Sequence, residues 1–384
     1  MYSTHIDSVA ITIKNYKAYD DICEFIKTDN DLETTKETYK NTTATKEIVG
    51  SKSLGRYLFS FHIVGTGSFS NQNSYRYTKV LFHGLKTYND EVDIQRYNMM
   101  LKIIKYLNLK GHRTLLTTID VALDLDCHMD DVMVIRTSKS NSTRNLRSEA
   151  EENRYYIESR PASIYKQRKN ACLYNKLHKH RKRDKYNDLT EDKTRFEVSL
   201  KTPIFRELNL KCLREQQDTT KNYDTDEVNI TPKYIDAVTQ MITDNLQAYK
   251  VFNFENSEQA DVAISIYEEH SMSWDARNRK RMQPLTSEFE TEFNFNVITA
   301  FIEQFCSYDR YRQDAIKVSI EKNKDVNRKL LKERQCTKRY SLDEKRHMST
   351  EVYQELMIQR QEEQRKHNKD TQLLRELDLD ELLE

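Results

Sequence analysis

Thr118-Ile119-Asp120-Val121-Ala122-Leu123-Asp124-Leu125-Asp126 sets acids and aliphatic residues on alternating positions. A strand turns successive side chains to opposite faces, so Asp120, Ala122, Asp124 and Asp126 share one side while Val121, Leu123 and Leu125 share the other. The aliphatic side reads as core. The acidic side sits in the middle of a predicted sheet, where carboxylates without partners are costly, so a metal ion or a basic side chain is expected beside them. The plainer alternative is a strand whose acids face water.

Two further stretches have the same style. Thr194-Arg195-Phe196-Glu197-Val198-Ser199-Leu200 sets Arg195, Glu197 and Ser199 against Phe196, Val198 and Leu200. Here the alternative is a cross-strand ion pair made by Arg195, with Glu197 merely solvated. Ala171-Cys172-Leu173-Tyr174-Asn175-Lys176 puts Tyr174 and Lys176 on one strand face. Tyr174 is one of 23 tyrosines, and its setting singles it out. Between Arg160 and Lys185 stand ten lysines and arginines against one acid, Asp184. Such a segment is a phosphate-backbone footprint or a basic loop. Arg160, Lys166, Arg168, Lys169, Lys179 and Arg195 are the candidate DNA contacts.

Outward from these strands, Ser8–Ile13, Arg56–Val64, Tyr75–His83 and Tyr155–Ile157 also read as strands, and Tyr16–Lys27 and Asp90–Leu109 as amphipathic helices. Asp29–Lys46, polar and rich in Thr and Lys, reads as a loop. After Pro203 the pattern turns helical. Pro232 behind Thr231 opens a helix, and Ser257–Glu269 and Phe289–Phe305 give two more. From Ile316 the chain is almost continuously charged. The division expected is 1–205, a catalytic domain; 206–320, a helical recognition region; and 321–384, a charged helical tail.

Composition narrows the class. The 384 residues have ample length for a core, with 32% charged and 37% hydrophobic residues and a net charge of only +1. Net charge therefore predicts no nucleic-acid partner, and the local distribution matters instead. The 6 cysteines are scattered without a C-x-x-C pair, which argues against a zinc site and a disulfide framework. No basic leader or membrane-length apolar run occurs, so a cytoplasmic protein without membrane contact is expected. No Gly-rich phosphate loop is present, and Lys179 between His178 and His180 argues against a histidine metal pair.

A tyrosine, a lysine and carboxylates are the parts needed to attack a phosphodiester. A free phenol has a pKa near ~10, so attack needs a proton acceptor and charge stabilisation at the phosphoryl oxygens. Carboxylate-held Mg²⁺ or Mn²⁺ supplies the latter, and Lys176 lies near enough in sequence to help.

Ile119-Asp120-Val121-Ala122-Leu123-Asp124, Leu173-Tyr174-Asn175-Lys176 and Arg195-Phe196-Glu197-Val198 together resemble the three ordered blocks of rolling-circle plasmid initiators of the Rep_trans type. Related blocks occur in filamentous-phage replication proteins and some relaxases. Ser159-Arg160-Pro161-Ala162-Ser163 and Ile6-Asp7-Ser8-Val9 are also similar to family segments. The resemblance covers roughly residues 5 to 205. It implies an α+β fold, a curved mainly antiparallel sheet flanked by helices, followed by a helical C-terminal region. It implies Tyr174 as nucleophile and Asp120 and Glu197 as metal ligands. Origin DNA, a host helicase and a second copy are the implied partners. Two positions depart from the family: Thr118 replaces an arginine, and Lys179 stands where a glutamate is common. Asp124 or Asp126 is left as a candidate third ligand. The expected activity is nicking at an origin with a 5′-phosphotyrosine and a free 3′-hydroxyl, followed by rejoining. A mobilisation relaxase and a non-catalytic DNA-binding regulator are the alternatives.

Overall fold

The computed structural model describes residues 2–15, 17–38, 45–65, 76–136, 146–151, 154–156, 168–177, 193–219, 228–269, 280, 282–284 and 286–335. Its strands are β1 (Tyr2–Ile13), β2 (Leu32–Thr38), β3 (Thr45–Ser51), β4 (Gly55–Gly65), β5 (Arg76–Phe82), β6 (Leu115–Leu125), β7 (Val132–Arg136), β8 (Leu146–Glu151), β9 (Arg154–Tyr156), β10 (Lys169–Asn175), β11 (Thr194–Leu200), β12 (Tyr249–Asn253) and β13 (Glu290–Thr291). The helices are α1 (Ala18–Thr28), α2 (Asp90–Leu109), α3 (Thr202–Thr219), α4 (Pro232–Gln247), α5 (Ser257–Glu269), α6 (Phe295–Ser307) and α7 (Asp309–Gln335). The fold is α+β, as the sequence predicts.

Ten strands form one antiparallel sheet in the order β2-β3-β4-β5-β1-β6-β11-β10-β9-β8, and β13-β12-β7 form a smaller one. Period-two alternation gives the large sheet two unlike faces. Val9, Ile11 and Ile13 of β1, Phe59 and Phe61 of β4, Val80 and Phe82 of β5, Val121 and Leu123 of β6, and Phe196 and Val198 of β11 are all buried. Each such side chain contributes about 1.5–3 kcal/mol on leaving water. Helix α1 covers part of this face with Ala18, Ile22, Phe25 and Ile26, and Tyr19 sets its ring 5.1 Å from Phe61. Phe196 packs against Tyr249 and Phe293 at 5.4 and 5.9 Å. On the opposite face Ser8, Thr12, His62, Lys79, His83 and Asp120 are half-buried.

Two compact units are present. One comprises residues 1–104 and 114–308 and holds both sheets. The other comprises 105–113 and 309–384. In the second, Lys105 lies over the Tyr311 ring at 5.0 Å, and Asp309 accepts hydrogen bonds from Arg312 and Gln313 in the first turn of α7.

The structure adds to the expected organisation at two places. Residues 206–320, expected as a helical region, hold α4, α5 and α6 and also the short strands β12 and β13. Strand β12 pairs with β7 and β13, and the first unit runs through to Tyr308. Strands of five and two residues are too short to show a period. Asp29–Lys46, read as a loop, contains β2 and the start of β3. Strand β2 lies at the sheet edge with Glu33, Thr34 and Thr35 exposed, so no apolar alternation marks it. The expected opening of α4 is observed: Thr231 Oγ1 accepts from the Tyr234 amide at 3.2 Å, with Pro232 in the first turn.

Candidate active site

The three stretches quoted above are adjacent strands, with β11 between β6 and β10. Asp120 stands opposite Ser199, Ala122 opposite Glu197, and Asp124 opposite Arg195. On the other flank of β11, Cys172 stands opposite Glu197 and Tyr174 opposite Arg195. Alternation therefore gathers Asp120, Asp124, Tyr174, Arg195, Glu197 and Ser199 on one face.

Within that face the groups sort into two clusters. In the first, Tyr174 donates its hydroxyl proton to Glu197 Oε2 at 2.7 Å. Tyr174 is only 2% exposed. Burial, followed by the Glu197 charge, pushes its phenol well above the usual range, against a smaller opposing effect of Arg195. Tyr174 is thus a neutral phenol at neutral pH, already bonded to a carboxylate. Asp120 lies on the next strand but one. Its Oδ1 is buried without a hydrogen bond and sits 3.5 Å from Lys201 Nζ. Burial lifts the Asp120 carboxyl from 3.8 to about 6; Lys201 opposes this, while Glu197 and Asp7 add to it.

The second cluster is an ion-paired knot around Arg195, which is fully buried. Its Nε and Nη2 donate to Asp124 Oδ1 and Oδ2 at 2.7 and 3.0 Å. Nη1 donates to Asp7 Oδ1 at 2.5 Å, and Nη2 lies 2.8 Å from Tyr88 Oη and 2.7 Å from His5 Nε2. Tyr88 Oη donates in turn to Asp124 Oδ2 at 2.7 Å. Burial pushes Asp124 up, yet Arg195, His5 and Lys176 together outweigh it and hold the carboxyl well below its usual 3.8. Burial and then Arg195 lower His5 to about 3, so its ring is neutral at neutral pH. Asp7 enters the knot at a register shift of β1, between Ile6 and Ser8, where a bulge re-aims a side chain. Tyr88 has φ 67, the one positive φ outside glycine among the described residues. A bulky residue costs about 1–3 kcal/mol there, so the surrounding bonds must hold it.

Lys176 belongs to the knot as well. It is 3% exposed, 3.7 Å from Asp7 Oδ1 and 5.8 Å from the Tyr88 ring centre. Several expectations change accordingly. Arg195, read as a DNA contact, is fully buried and pairs across strands with Asp124, while Glu197, merely solvated in that alternative, is buried against Tyr174. Asp124, a candidate metal ligand, has both oxygens committed to Arg195 and Tyr88. Asp126, the other candidate third ligand, pairs with Lys193. Arg168 is exposed but bidentate with Glu207, and Lys169 lies 5.1 Å over the Tyr249 ring. Arg160, Lys166 and Lys179, with His178 and His180, lie outside the described residues. The residues not foreseen are His5, Asp7, Tyr88 and Lys201. The sequence signal for any of them is confined to Asp7, which stands in the Ile6-Asp7-Ser8-Val9 segment just ahead of the strand read at Ser8–Ile13.

Asp120 and Glu197 are the pair that could hold a divalent cation. Both are hard oxygen donors, and a buried carboxylate oxygen without a hydrogen bond is what a cation would satisfy. Mg²⁺ commonly uses one or two carboxylates and fills its shell with water and phosphate oxygens. The pair fits that mode. No group of three His, Cys, Asp or Glu side chains suited to a metal occurs among the described residues.

Comparison with known proteins adds little to this geometry. No family model matches the sequence, and no curated protein matches it. Among solved structures, the chain is similar to a rolling-circle replication initiator protein from Geobacillus stearothermophilus at 10% identity. That likeness covers 63% of this chain and 97% of the other with a TM-score of 0.28, too low to carry an argument. No helix among the described residues is long and apolar enough to cross a membrane.

Proposed function

We propose that this chain is a DNA strand-nicking and strand-joining protein of the replication-initiator kind. The observation that carries the reading is the 2.7 Å hydrogen bond from the Tyr174 hydroxyl to Glu197, beside the buried carboxylate of Asp120. A phenol held well above its usual pKa is a poor nucleophile unless an acceptor takes its proton during attack. Glu197 is in contact to do so. Tyr174 Oη attacks the backbone phosphorus, its proton passes to Glu197, and the bond from phosphorus to the 3′ oxygen breaks. The 3′ oxygen takes a proton from solvent, leaving a 3′-hydroxyl and a 5′-phosphotyrosine. The reverse sequence rejoins strands. Asp120 and Glu197 would hold Mg²⁺ or Mn²⁺, which supplies Lewis-acid neutralisation of the phosphoryl oxygens when bound. Origin DNA, a helicase and a second copy are partners that follow from the same reading, as does a cytoplasmic location.

One observation favours a second reading, a non-catalytic DNA-binding regulator: the Tyr174 hydroxyl is closed off from solvent, so DNA must open the site to reach it. Incubation with Mn²⁺ and a supercoiled plasmid carrying the cognate origin separates the two. Nicked circles and a covalent adduct are expected. Tyr174→Phe should lose the adduct, and Glu197→Gln should slow nicking by about 10²–10⁴-fold. Adducts that persist in Tyr174→Phe would sink the assignment, and an inert wild-type protein would leave the regulator.

A further inference from the structure

Beyond Asp120 the half-buried face of the large sheet continues across β1, β5, β4 and β3, and its chemistry turns from acidic to basic. Asp120 stands opposite Ser8, Thr12 opposite Lys79, and Lys79 opposite His62. The pairing of Glu47 with Phe61 carries Lys46 to the position beside His62. At the other end, Lys201 follows β11 and reaches to 3.5 Å from Asp120. Lys201, Lys79, His62 and Lys46 thus form a row between β11 and β3. Five strand spacings of about 4.8 Å make it roughly 24 Å long.

In the Arg195 knot every cation meets a carboxylate; in this row Lys201 meets Asp120, but Lys79 meets none among the described residues. Lys79 is half-buried, and no ion pair or hydrogen bond joins its ammonium to another described residue. Burial and then Lys201 push its ammonium below the usual value, and burial, Lys79 and Lys46 do the same to His62. No acid enters either balance. Asp120 borders the row beside Lys201, and Asp7 lies near enough to raise both Asp120 and His83. Like charges gathered on a half-buried face cost stability in the absence of an anion. A chain of anions would remove that cost.

We propose that this row is a binding track for single-stranded DNA, whose phosphates pass over Lys201, Lys79, His62 and Lys46 as the strand runs from the Tyr174–Glu197 centre toward β3. The identity of the polyanion rests on the nicking reading. The line itself rests on register and charge. A single line of cations follows one phosphate chain, as in grooves that track a single-strand backbone.

The test uses the full chain carrying Tyr174→Phe, in EDTA, so that binding is read without cleavage and does not depend on the nicking chemistry. Anisotropy of a labelled single-stranded oligothymidine is titrated across a series of salt concentrations. A phosphate contact on a single strand adds about 0.7 to the salt slope, so Lys79→Gln should lower the slope by about 0.7 and weaken binding about fivefold near 0.1 M salt. Lys79→Arg should keep both, and Lys233→Gln, an exposed lysine on α4, should change neither. Unchanged binding in Lys79→Gln overturns the proposal. So does equal weakening in Lys79→Arg, which would mean packing rather than charge, or in Lys233→Gln, which would mean unlocalised attraction. A duplex bound as tightly and equally sensitive to Lys79→Gln would assign the row to double-stranded DNA instead.

Discussion

Replacing Asp124 with asparagine tests whether the Arg195 knot holds the sheet together. Arg195 is fully buried and gives two of its hydrogen bonds to Asp124, at 2.7 and 3.0 Å. Asparagine keeps the shape but turns one acceptor into an NH₂ donor, which then faces Arg195 Nη2 or the Tyr88 hydroxyl. The guanidinium cannot shed its proton, so only Asp7 remains as a directly bonded counter-charge. Removing one partner of a buried pair costs about 3–5 kcal/mol. With Asp7 and one acceptor retained, about 2–4 kcal/mol is expected for Asp124→Asn near neutral pH. The pH dependence follows from the sign of the shift. The folded carboxyl lies below its usual 3.8, so its stabilisation is present above that value and lost as pH falls toward the folded pKa. The difference between wild type and variant should shrink by about 1.4 kcal/mol per pH unit below about 4. Urea unfolding at a series of pH values reads both quantities. A penalty under about 1 kcal/mol at neutral pH, or one that stays constant on acidification, would refute the reasoning.

Asp120 carries the opposite sign. Its folded carboxyl is raised from 3.8 to about 6, so the stability linked to its protonation is present below the unfolded value and lost as pH rises through about 6. Asp120→Asn is therefore expected to raise stability near neutral pH by on the order of 2–3 kcal/mol in metal-free buffer, while ending nicking. A variant less stable than wild type under those conditions counts against the assignment. Mn²⁺ at about a hundredfold over its dissociation constant should stabilise the wild type by about 2.7 kcal/mol. Thermal melts of Asp120→Asn and Glu197→Gln should show little of that gain; an undiminished gain in both places the cation elsewhere.

The alternation in Thr118–Asp126, Ala171–Asn175 and Arg195–Leu200 was enough to assign each side chain of these strands to a face. A period of two depends only on local backbone geometry, and the pairing register of β6, β10 and β11 keeps it although both faces of these strands are buried. The same reasoning missed β2, β3, β7, β8, β12 and β13, whose polar composition or short length leaves no period to read.

The opening strand shows where local reading stops. Asp120 and Asp124 look alike in sequence: same strand, same face, four residues apart. In the fold their carboxyls shift in opposite directions, one raised to about 6 and the other held below its usual value. The difference comes from Arg195, which stands opposite Asp124 because β11 pairs with β6, and from Asp7 and Tyr88, brought in by a bulge and a strained turn. The sequence by itself determined the α+β class, the strands that carry the candidate site and the face to which each acid belongs. Only the tertiary structure decided which acid is neutralised by arginine and which keeps a buried oxygen that accepts no hydrogen bond, because charge interactions depend on distance and burial across strands far apart in the chain.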